Sequence, residues 1–278
     1  MSRVDEQFEV AALVSTGKPD SVAWGASHFP LAPHFTDLRA ALALPSITAV
    51  FLATPTRTHP ALTCQALAAG CHVFVEKPLA PDAAGAVRAV SIARRNSLEV
   101  FIGYVYLFHR ALDFLRAAAP SAEVRTLRFD WVRPRLAGPM HEELLCHDLA
   151  VTVAITGELP ANVVVVESGH RLLRCRVELP SGRVCESTIQ LREDVPRRRI
   201  VAAHYADGSS YTWQDDRLHS PGDPGRDLLT PAVEDPMTRE IRAFRAAIEK
   251  TGPRMVDDER LSIGIGALLE AVGRSVVA

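Results

Sequence analysis

The chain has 278 residues, a length that predicts one large or two modest domains. Hydrophobic residues make up 47% and charged residues 23%, a balance that excludes wholesale disorder. The formal net charge of −2 excludes the basic footprint of a nucleic-acid-binding protein. Apolar runs such as residues 47–53 are far shorter than the roughly 20 residues of a membrane helix. Five cysteines without a C-x-x-C pair argue against a disulfide framework and structural zinc, and we expect a cytoplasmic protein.

The first part of the chain alternates short β-branched runs with alanine-rich stretches. This alternation predicts a parallel sheet whose strands are connected by helices. The strands are continuously apolar, which indicates that both faces of the sheet are covered. A glycine at position 70 marks the end of one helix. The predicted strands are 8–14, 47–53, 71–75 and 98–103, and the predicted helices are 21–28, 37–43, 58–69 and 81–96.

From residue 120 onward, strands follow one another with few helices between them. Turn signals at 180–182 and 207–208 predict connections between adjacent antiparallel strands. We therefore expect an α/β chain with a Rossmann-like parallel sheet in residues 1–119. Residues 120–278 would form a second α+β domain with an open, mainly antiparallel sheet and C-terminal helices. Its predicted strands are 123–132, 163–167, 172–179, 184–191 and 200–205, and its predicted helices are 141–156, 236–250 and 257–276.

Polar residues follow two predicted strands between positions 53 and 79. Thr54 and Pro55 follow one strand, and Glu76, Lys77 and Pro78 follow the next. Parallel strands end at one edge of the sheet, which is where open α/β sheets bind their ligands. A lysine held there can donate a proton or orient a hydroxyl. Taken alone, such a tripeptide is more often a solvated loop lysine paired with its neighbouring glutamate.

This segment resembles the Gfo/Idh/MocA family of NAD(P)-dependent oxidoreductases. The matching residues are Thr54-Pro55, His59, Ala69-Gly70, His72-Val73 and Glu76-Lys77-Pro78, and the likeness continues through Ile102-Gly103-Tyr104 to the last two helices. The resemblance implies a Rossmann domain that binds NAD(P), and a substrate domain whose open sheet packs against a second subunit in a homodimer or tetramer. It also implies hydride transfer between the nicotinamide and a secondary alcohol or ketone of a sugar-like or cyclitol substrate.

A second signature of the family is an acid followed four positions later by histidine on a helix. Glu143 and His147 have this spacing, which places them on one helical face. The resemblance assigns the acid–base roles at the substrate hydroxyl to Lys77 and His147, with Glu143 orienting His147. Many members have aspartate where this chain has Glu143. A lone histidine on an amphipathic helix is more often structural. Tyr104 and Arg110 are weaker candidates for substrate contacts.

Two other clusters in the sequence are candidate ligand sites, a pair of histidines and a run of arginines. His141 and His147 lie about 120° apart around a helix, and the H-E-x-x-H pattern is absent, so we expect no metal there. The run Pro196-Arg197-Arg198-Arg199 is compatible with a local anion site, although such a run is more often the solvated edge of a sheet.

The glycine-rich turn of a dinucleotide-binding domain is not found where the resemblance requires it. Such a domain begins with a strand, a G-x-G-x-x-G turn and a helix that holds the pyrophosphate. Only seven residues precede the strand predicted at 8–14, whereas a βαβ unit takes about 30 or more. The one G-x-G, Gly264-Ile265-Gly266, lies in the last predicted helix. We therefore expect the first strand–turn–helix unit to be missing from this chain.

Three interpretations of this expected absence remain open. The coding start lies further upstream; or the chain is complete and acts as a non-catalytic sugar-binding sensor, regulator or scaffold; or the cofactor is bound in a reduced manner, with a partner's strand completing the sheet. Retention of Lys77 and His147 favours an oxidoreductase.

The residues that follow the strand at 8–14 carry a clue to the cofactor. In dinucleotide-binding domains an acid at this place selects NAD. Here Ser15, Thr16 and Lys18 supply hydroxyls and a cation, which suit the 2′-phosphate of NADP. We therefore predict NADP over NAD, the alternative being a plain loop. The full set of predicted cofactor-binding residues is Ser15, Thr16, Lys18, Thr54, Pro55, His59, Glu76, Lys77 and Pro78.

Overall fold

The computed structural model describes residues 7–118, 124–229, 234–251 and 258–277. Its N-terminal part contains short parallel strands connected by helices, which confirms the predicted Rossmann-like class. The strands are β1 (Leu13–Val14), β2 (His34–Phe35), β3 (Ala49–Leu52), β4 (His72–Glu76) and β5 (Val100–Gly103). The helices are α1 (Pro19–His28), α2 (Leu38–Leu42), α3 (His59–Ala68), α4 (Ala83–Asn96) and α5 (Arg110–Ala118).

The parallel strands form two sheets. β1 pairs with β2, and β3, β4 and β5 form a separate sheet in that order. Of the strand predicted over 8–14, only Leu13–Val14 forms a strand, because its hydrogen-bonded partner β2 is two residues long. The sequence missed β2, whose His-Phe pair has no β-branched run, and it also missed α5.

Local signals explain where the connecting helices begin and end. The Asp82 carboxylate accepts a hydrogen bond from the Gly85 backbone N–H and caps the start of α4. Gly70 follows α3 with a φ of +84°, a conformation that costs glycine little, so the predicted end of this helix is confirmed within one residue. Phenylalanines fill the core around the three-stranded sheet. Phe51, Phe74 and Phe101 all lie within 6 Å of the Phe244 ring, measured between centroids.

The second part of the chain is built on a seven-stranded mixed sheet. Its strands are β6 (Val124–Arg133), β7 (Asn162–Gly169), β8 (Leu172–Glu178), β9 (Val184–Leu191), β10 (Arg198–Tyr205), β11 (Ser210–Gln214) and β12 (Arg217–His219). The order is β12-β11-β10-β6-β9-β8-β7, and every neighbouring pair is antiparallel except β6–β9. The predicted mainly antiparallel sheet is therefore confirmed, with β11 and β12 added to the predicted strands.

One face of this sheet is covered and the other is polar. Along β6, Phe129 and Trp131 are buried. Arg128, which directly precedes Phe129, is exposed and pairs with Glu186 of β9. This alternation is the period-two pattern of a half-buried strand. The covered face packs against α6 (Cys146–Thr156), which continues directly from a π-helical stretch, His141–Leu145. The sequence predicted one continuous helix over 141–156.

Two C-terminal helices complete the fold, α7 (Pro236–Glu249) and α8 (Asp258–Val277). Helix α8 packs against both α4 and α6, so it contacts the two parts of the chain. A Cβ atom at Gly266 would lie 2.7 Å from the Asp82 carbonyl oxygen, so this glycine serves close helix packing rather than phosphate binding. The boundary predicted between residues 119 and 120 lies outside the described residues.

Candidate active site

Lys77 follows β4 at the carboxyl edge of the three-stranded sheet and reaches the π-helical stretch of the second part. Its Nζ donates a hydrogen bond of 2.9 Å to the Glu143 carbonyl oxygen and lies 3.4 Å from the Glu143 Oε2. The lysine side chain is 15% exposed. The peptide bond that follows it, Lys77–Pro78, is cis. The solvated-lysine alternative is therefore wrong, because Lys77 is largely buried and its carboxylate contact is Glu143.

The charges around Lys77 keep it protonated. Burial by itself lowers the pKa of the ammonium group, but the neighbouring Cys146, Glu143 and Glu76 outweigh burial, and the pKa is raised. Burial raises the pKa of the Glu76 carboxyl against the lowering effect of Lys77. At neutral pH the site therefore contains a fixed ammonium group that can donate hydrogen bonds.

The charge state of His147 is the opposite of that of Lys77. It lies in the first turn of α6, buried, and its Nδ1 has no hydrogen-bond partner among the described residues. Burial, followed by the positive charges of Lys77, Arg199 and Arg133, lowers the pKa of this imidazole well below its usual value. His147 is therefore neutral at physiological pH, and a neutral imidazole can accept a proton.

Aromatic rings surround His147. The Tyr106 ring stands edge-on to the imidazole with 4.7 Å between centroids, and the Tyr104 and Trp131 centroids lie 6.3 and 6.1 Å away. The sequence selected Tyr104 and missed Tyr106, which lies in the short 3-10 helix after β5. Arg110 is the first residue of α5, and its contact with substrate stays a prediction.

Asp148 holds the Trp131 ring in place. Its carboxylate accepts hydrogen bonds from Trp131 Nε1 at 2.8 Å and from Ser187 Oγ at 2.6 Å. Asp148 is 2% exposed. Sequence reasoning missed this group, although an acid directly after a candidate catalytic histidine was a usable signal.

The pKa of Asp148 leads to a prediction about stability. Burial raises this pKa from 3.8 to about 7, although the hydrogen bonds from Ser187 and Trp131 oppose the rise. A carboxyl with a higher pKa in the folded state stabilises the fold fully below its unfolded pKa, and this stability is lost as pH rises through about 7. Relative to Asp148→Asn, the wild-type free energy of unfolding should therefore fall by up to about 4 kcal/mol between about pH 4 and pH 8. Denaturant titrations across this range measure it, and a constant difference would contradict the prediction.

Glu143 occupies a different place from the one predicted. Its carboxylate pairs with Lys77, and no hydrogen bond joins it to His147 in the described part of the chain. The π-helical stretch ends at Leu145, between the two residues, so the regular i, i+4 geometry does not apply to them. A role for Glu143 in placing the ammonium group of Lys77 is therefore better supported than a role in orienting His147.

His59 connects the ends of β3 and β4. Its Nε2 lies 2.7 Å from the Thr54 carbonyl oxygen, and its Nδ1 lies 2.8 Å from the Pro78 carbonyl oxygen. Both partners are backbone carbonyl oxygens, so the imidazole bridges the two segments that follow these strands. The imidazole is buried and fixes the loop that carries Lys77. These contacts support the loop, and a contact of His59 with the cofactor stays a prediction.

The other predicted cofactor residues lie at the carboxyl ends of β1 and β3. Ser15 Oγ is 2.9 Å from His34 Nε2 and accepts a hydrogen bond from the Gly17 N–H, and Lys18 precedes α1. Thr54 accepts a hydrogen bond from the exposed Thr58 hydroxyl. Hydroxyls, a lysine and the ammonium of Lys77 fit the ribose and nicotinamide ends of a dinucleotide. A glycine-rich turn for the pyrophosphate is not found among the described residues.

The described residues contain neither a candidate metal-ion site nor a candidate membrane-spanning helix. No group of three or more His, Cys, Asp or Glu side chains within residues 7–118, 124–229, 234–251 and 258–277 is arranged to hold a metal ion. None of the helices in these ranges is both long enough and apolar enough to cross a membrane.

A lysine at the carboxyl edge of a parallel α/β sheet thus lies near a buried, neutral histidine from the second part of the chain, an arrangement suited to acid–base chemistry at a substrate hydroxyl. Residues 1–104 match the model of the oxidoreductase family with an NAD-binding Rossmann fold, GFO_IDH_MocA. The predicted resemblance to this family is thereby confirmed over residues 1–104, and this match supports NAD(P) as the cofactor.

Several curated relatives are dehydrogenases. The chain is 28% identical over 232 residues to UDP-N-acetylglucosamine 3-dehydrogenase of Acidithiobacillus ferrooxidans, a match that covers 77% of this chain and 74% of that protein. It is 25% identical over 183 residues to inositol 2-dehydrogenase of Corynebacterium glutamicum, with 65% of this chain and 53% of that protein covered. The chain thus matches about half the length of the second relative.

Solved structures show the same fold over nearly the whole chain. The structure of the Acidithiobacillus ferrooxidans enzyme matches with a TM-score of 0.73 at 23% identity, covering 99% of this chain and 90% of that one. GenD2 from gentamicin A biosynthesis, solved in complex with NAD, matches with a TM-score of 0.78 at 18% identity and the same coverage, 99% and 90%. At these identities the likeness establishes the fold alone.

Proposed function

We propose that the chain is an NAD(P)-dependent dehydrogenase that interconverts a secondary alcohol and a ketone on a sugar-like or cyclitol substrate. One observation carries the proposal. A protonated lysine and a neutral histidine, from separate parts of the fold, lie close enough for the lysine to lower the pKa of the histidine. Relatives that act on a nucleotide sugar and on inositol support the substrate class.

The two side chains fit complementary roles in alcohol oxidation. The ammonium group of Lys77 would donate a hydrogen bond to the substrate hydroxyl oxygen and stabilise negative charge as the proton leaves. The neutral imidazole of His147 would accept that proton at a ring nitrogen. The nicotinamide, when bound, accepts the hydride or returns it in the reverse direction. Ser15, Thr16, Lys18, Thr54 and Pro55 would hold the cofactor's sugar groups.

The proposal is tested by assaying the purified chain with each cofactor against a panel of sugars, cyclitols and their oxidised forms. Formation or loss of reduced nicotinamide, dependent on the substrate, is the expected result. Turnover that requires neither Lys77 nor His147 would overturn the assigned roles.

A second candidate function is a non-catalytic sugar-binding sensor, regulator or scaffold. The observation that favours it is the lack, among the described residues, of a glycine turn for the pyrophosphate. This alternative predicts that sugars raise the thermal midpoint of unfolding while neither dinucleotide does, since only ligands that bind the native state stabilise it. A dinucleotide-dependent rise in the midpoint would exclude it.

We expect NADP to bind more tightly than NAD. Lys18 and the hydroxyls of Ser15 and Thr16 follow β1, and no acid lies within residues 15–18, which suits a 2′-phosphate. Titration of thermal unfolding should show a larger shift with NADP at equal concentration, and Lys18→Ala should remove the difference. Lys250→Gln, at the exposed C-terminal end of α7, is the control. An equal or larger shift with NAD would overturn the preference.

Self-association through the polar face of the seven-stranded sheet also stays a prediction. This face presents paired charges, including Arg128 with Glu186 and Arg174 with Glu167. Such pairs tolerate water and also suit a hydrated contact with a second subunit in a homodimer or tetramer.

A further inference from the structure

We propose that the substrate bound beside His147 carries an anionic group, either a carboxylate or a phosphate. Arg133 contacts this anionic group, and Arg199 provides a second, fixed positive charge. This inference rests on the proposed function and adds the substrate class to it. The two arginines lie on the covered face of the large sheet, where buried positive charge is unusual.

Arg199 is buried without an ion-pair partner. It is 3% exposed, and its Cζ lies 3.9 Å from the centroid of the Tyr106 ring and 3.8 Å from that of the Trp213 ring. Its Nη2 donates a hydrogen bond of 2.9 Å to the Asp215 carbonyl oxygen. None of the salt bridges within the described residues includes it. Cation–π contacts thus hold the guanidinium group, and no carboxylate among the described residues forms an ion pair with it, so it can still attract an anionic ligand.

Arg133 is the accessible member of the pair. It follows Trp131 by two positions on β6, so both side chains leave the strand on the same face. Its Cζ lies 5.0 Å from the Trp131 ring centroid, and the Arg199 Cζ lies 5.8 Å from the same centroid. The same ring lies 6.1 Å from that of His147. Arg133 is half-buried, so a group held next to His147 can reach it.

Several arginines of the sheet have a carboxylate partner, whereas Arg133 and Arg199 have none within the described part of the chain. On the polar face, Arg128, Arg174 and Arg176 each pair with a glutamate. Arg133 and Arg199 have no such carboxylate among the described residues. Glu143 is engaged by Lys77, and Asp148, Asp215 and Asp216 act on Arg199 electrostatically without forming an ion pair with it. A planar guanidinium group that lacks a carboxylate matches a carboxylate or phosphate in geometry and charge.

This placement decides between the two interpretations of the Pro196–Arg199 run. Arg197 and Arg198 are exposed, as expected at the solvated edge of a sheet, whereas Arg199 points into the covered face. Only the last arginine of the run therefore belongs to the anion-binding group.

Calorimetric titration of the full chain in the presence of NADP tests the proposal without relying on turnover. The probes are a neutral sugar or cyclitol, a sugar acid of the same carbon skeleton, and a sugar phosphate. We expect an anionic probe to bind at least about 10-fold more tightly than its neutral counterpart, and Arg133→Gln to bring this ratio close to one. Arg198→Gln, a neighbouring arginine on the opposite face, is the matched control and should leave the ratio unchanged.

The outcomes separate this inference from the proposed function. Tighter binding of the sugar acid identifies a carboxylate, and tighter binding of the sugar phosphate identifies a phosphate. Equal binding of neutral and anionic probes, or an unchanged ratio in Arg133→Gln, would overturn the anion site even if dehydrogenase activity is found. Selective anion binding without any turnover would support the site and count against the dehydrogenase. Arg133 is half-buried, so we expect Arg133→Gln to fold. The test therefore does not depend on a variant of the fully buried Arg199.

Discussion

Replacing Lys77 by methionine should lower kcat by about 10²- to 10³-fold, the range typical for loss of one hydrogen-bond donor to a developing oxyanion. Methionine keeps most of the length and apolar stem of the side chain but removes the ammonium group. The substrate oxygen then loses its charged hydrogen-bond donor while the surrounding helices keep their packing. The measurement is steady-state kinetics with the substrate identified by the panel, together with thermal unfolding of the variant.

The contacts of Lys77 set the controls for this experiment. Its ammonium group also neutralises Glu143 at 3.4 Å, so Lys77→Met should cost some stability as well. Glu143→Gln removes the same ion pair while it leaves the ammonium group in place, and it should retain far more activity. Lys250→Gln controls for the loss of a positive charge elsewhere. Undiminished turnover by Lys77→Met would refute the role of this lysine.

Replacing His147 by glutamine should have a comparable effect on kcat, about 10²-fold or more, because the site loses its proton acceptor. The pH dependence provides a more specific readout. The pKa of His147 is lowered by burial and by three nearby cations, so the imidazole stays neutral to a lower pH than an exposed histidine. In the wild type, kcat/KM for oxidation should therefore begin to fall only below about pH 6.5, the usual histidine value, and this acid limb should be absent in His147→Gln.

A matched comparison distinguishes proton transfer from a structural role of this histidine. Tyr106→Phe keeps the ring that stands edge-on to His147 and removes only a hydroxyl, so the acid limb should persist in that variant. An acid limb that survives in His147→Gln would assign the titration to another group. An acid limb well above pH 6.5 in the wild type would contradict the lowered pKa.

The parallel strands and the lysine at their edge could be predicted because the relevant signals are local. Alternation of apolar runs with helices gave β3, β4 and β5 within two residues at each end, and proline after Lys77 marked the end of a strand. The strand predicted from Phe8 was much too long. Its apolar run has the composition of a strand, but ladder hydrogen bonds depend on a partner, and β2 offers only two residues.

The residues around His147 were much harder to predict. Tyr106, Trp131 and Arg199 come from the 3-10 helix after β5, from β6 and from β10, and no local pattern relates these segments. Arg199 illustrates the difficulty, because the run of three arginines reads as solvated while strand alternation turns the last side chain inward. Glu143 shows a different limit. The i, i+4 rule assumes an α-helix, and the π-helical stretch directs its carboxylate to Lys77.

The sequence by itself determined the class of fold, the resemblance to a family and the two residues proposed to act at the substrate hydroxyl, since these depend on periodicity and on short motifs. Tertiary structure alone decided the protonation states of Lys77 and His147, the Asp148–Trp131 contact and the unpaired arginines. Those properties arise from burial and from charges brought together by strands distant in the chain. Local sequence patterns specify which way a side chain leaves its own backbone, whereas the packing of sheet against helix specifies what that side chain meets.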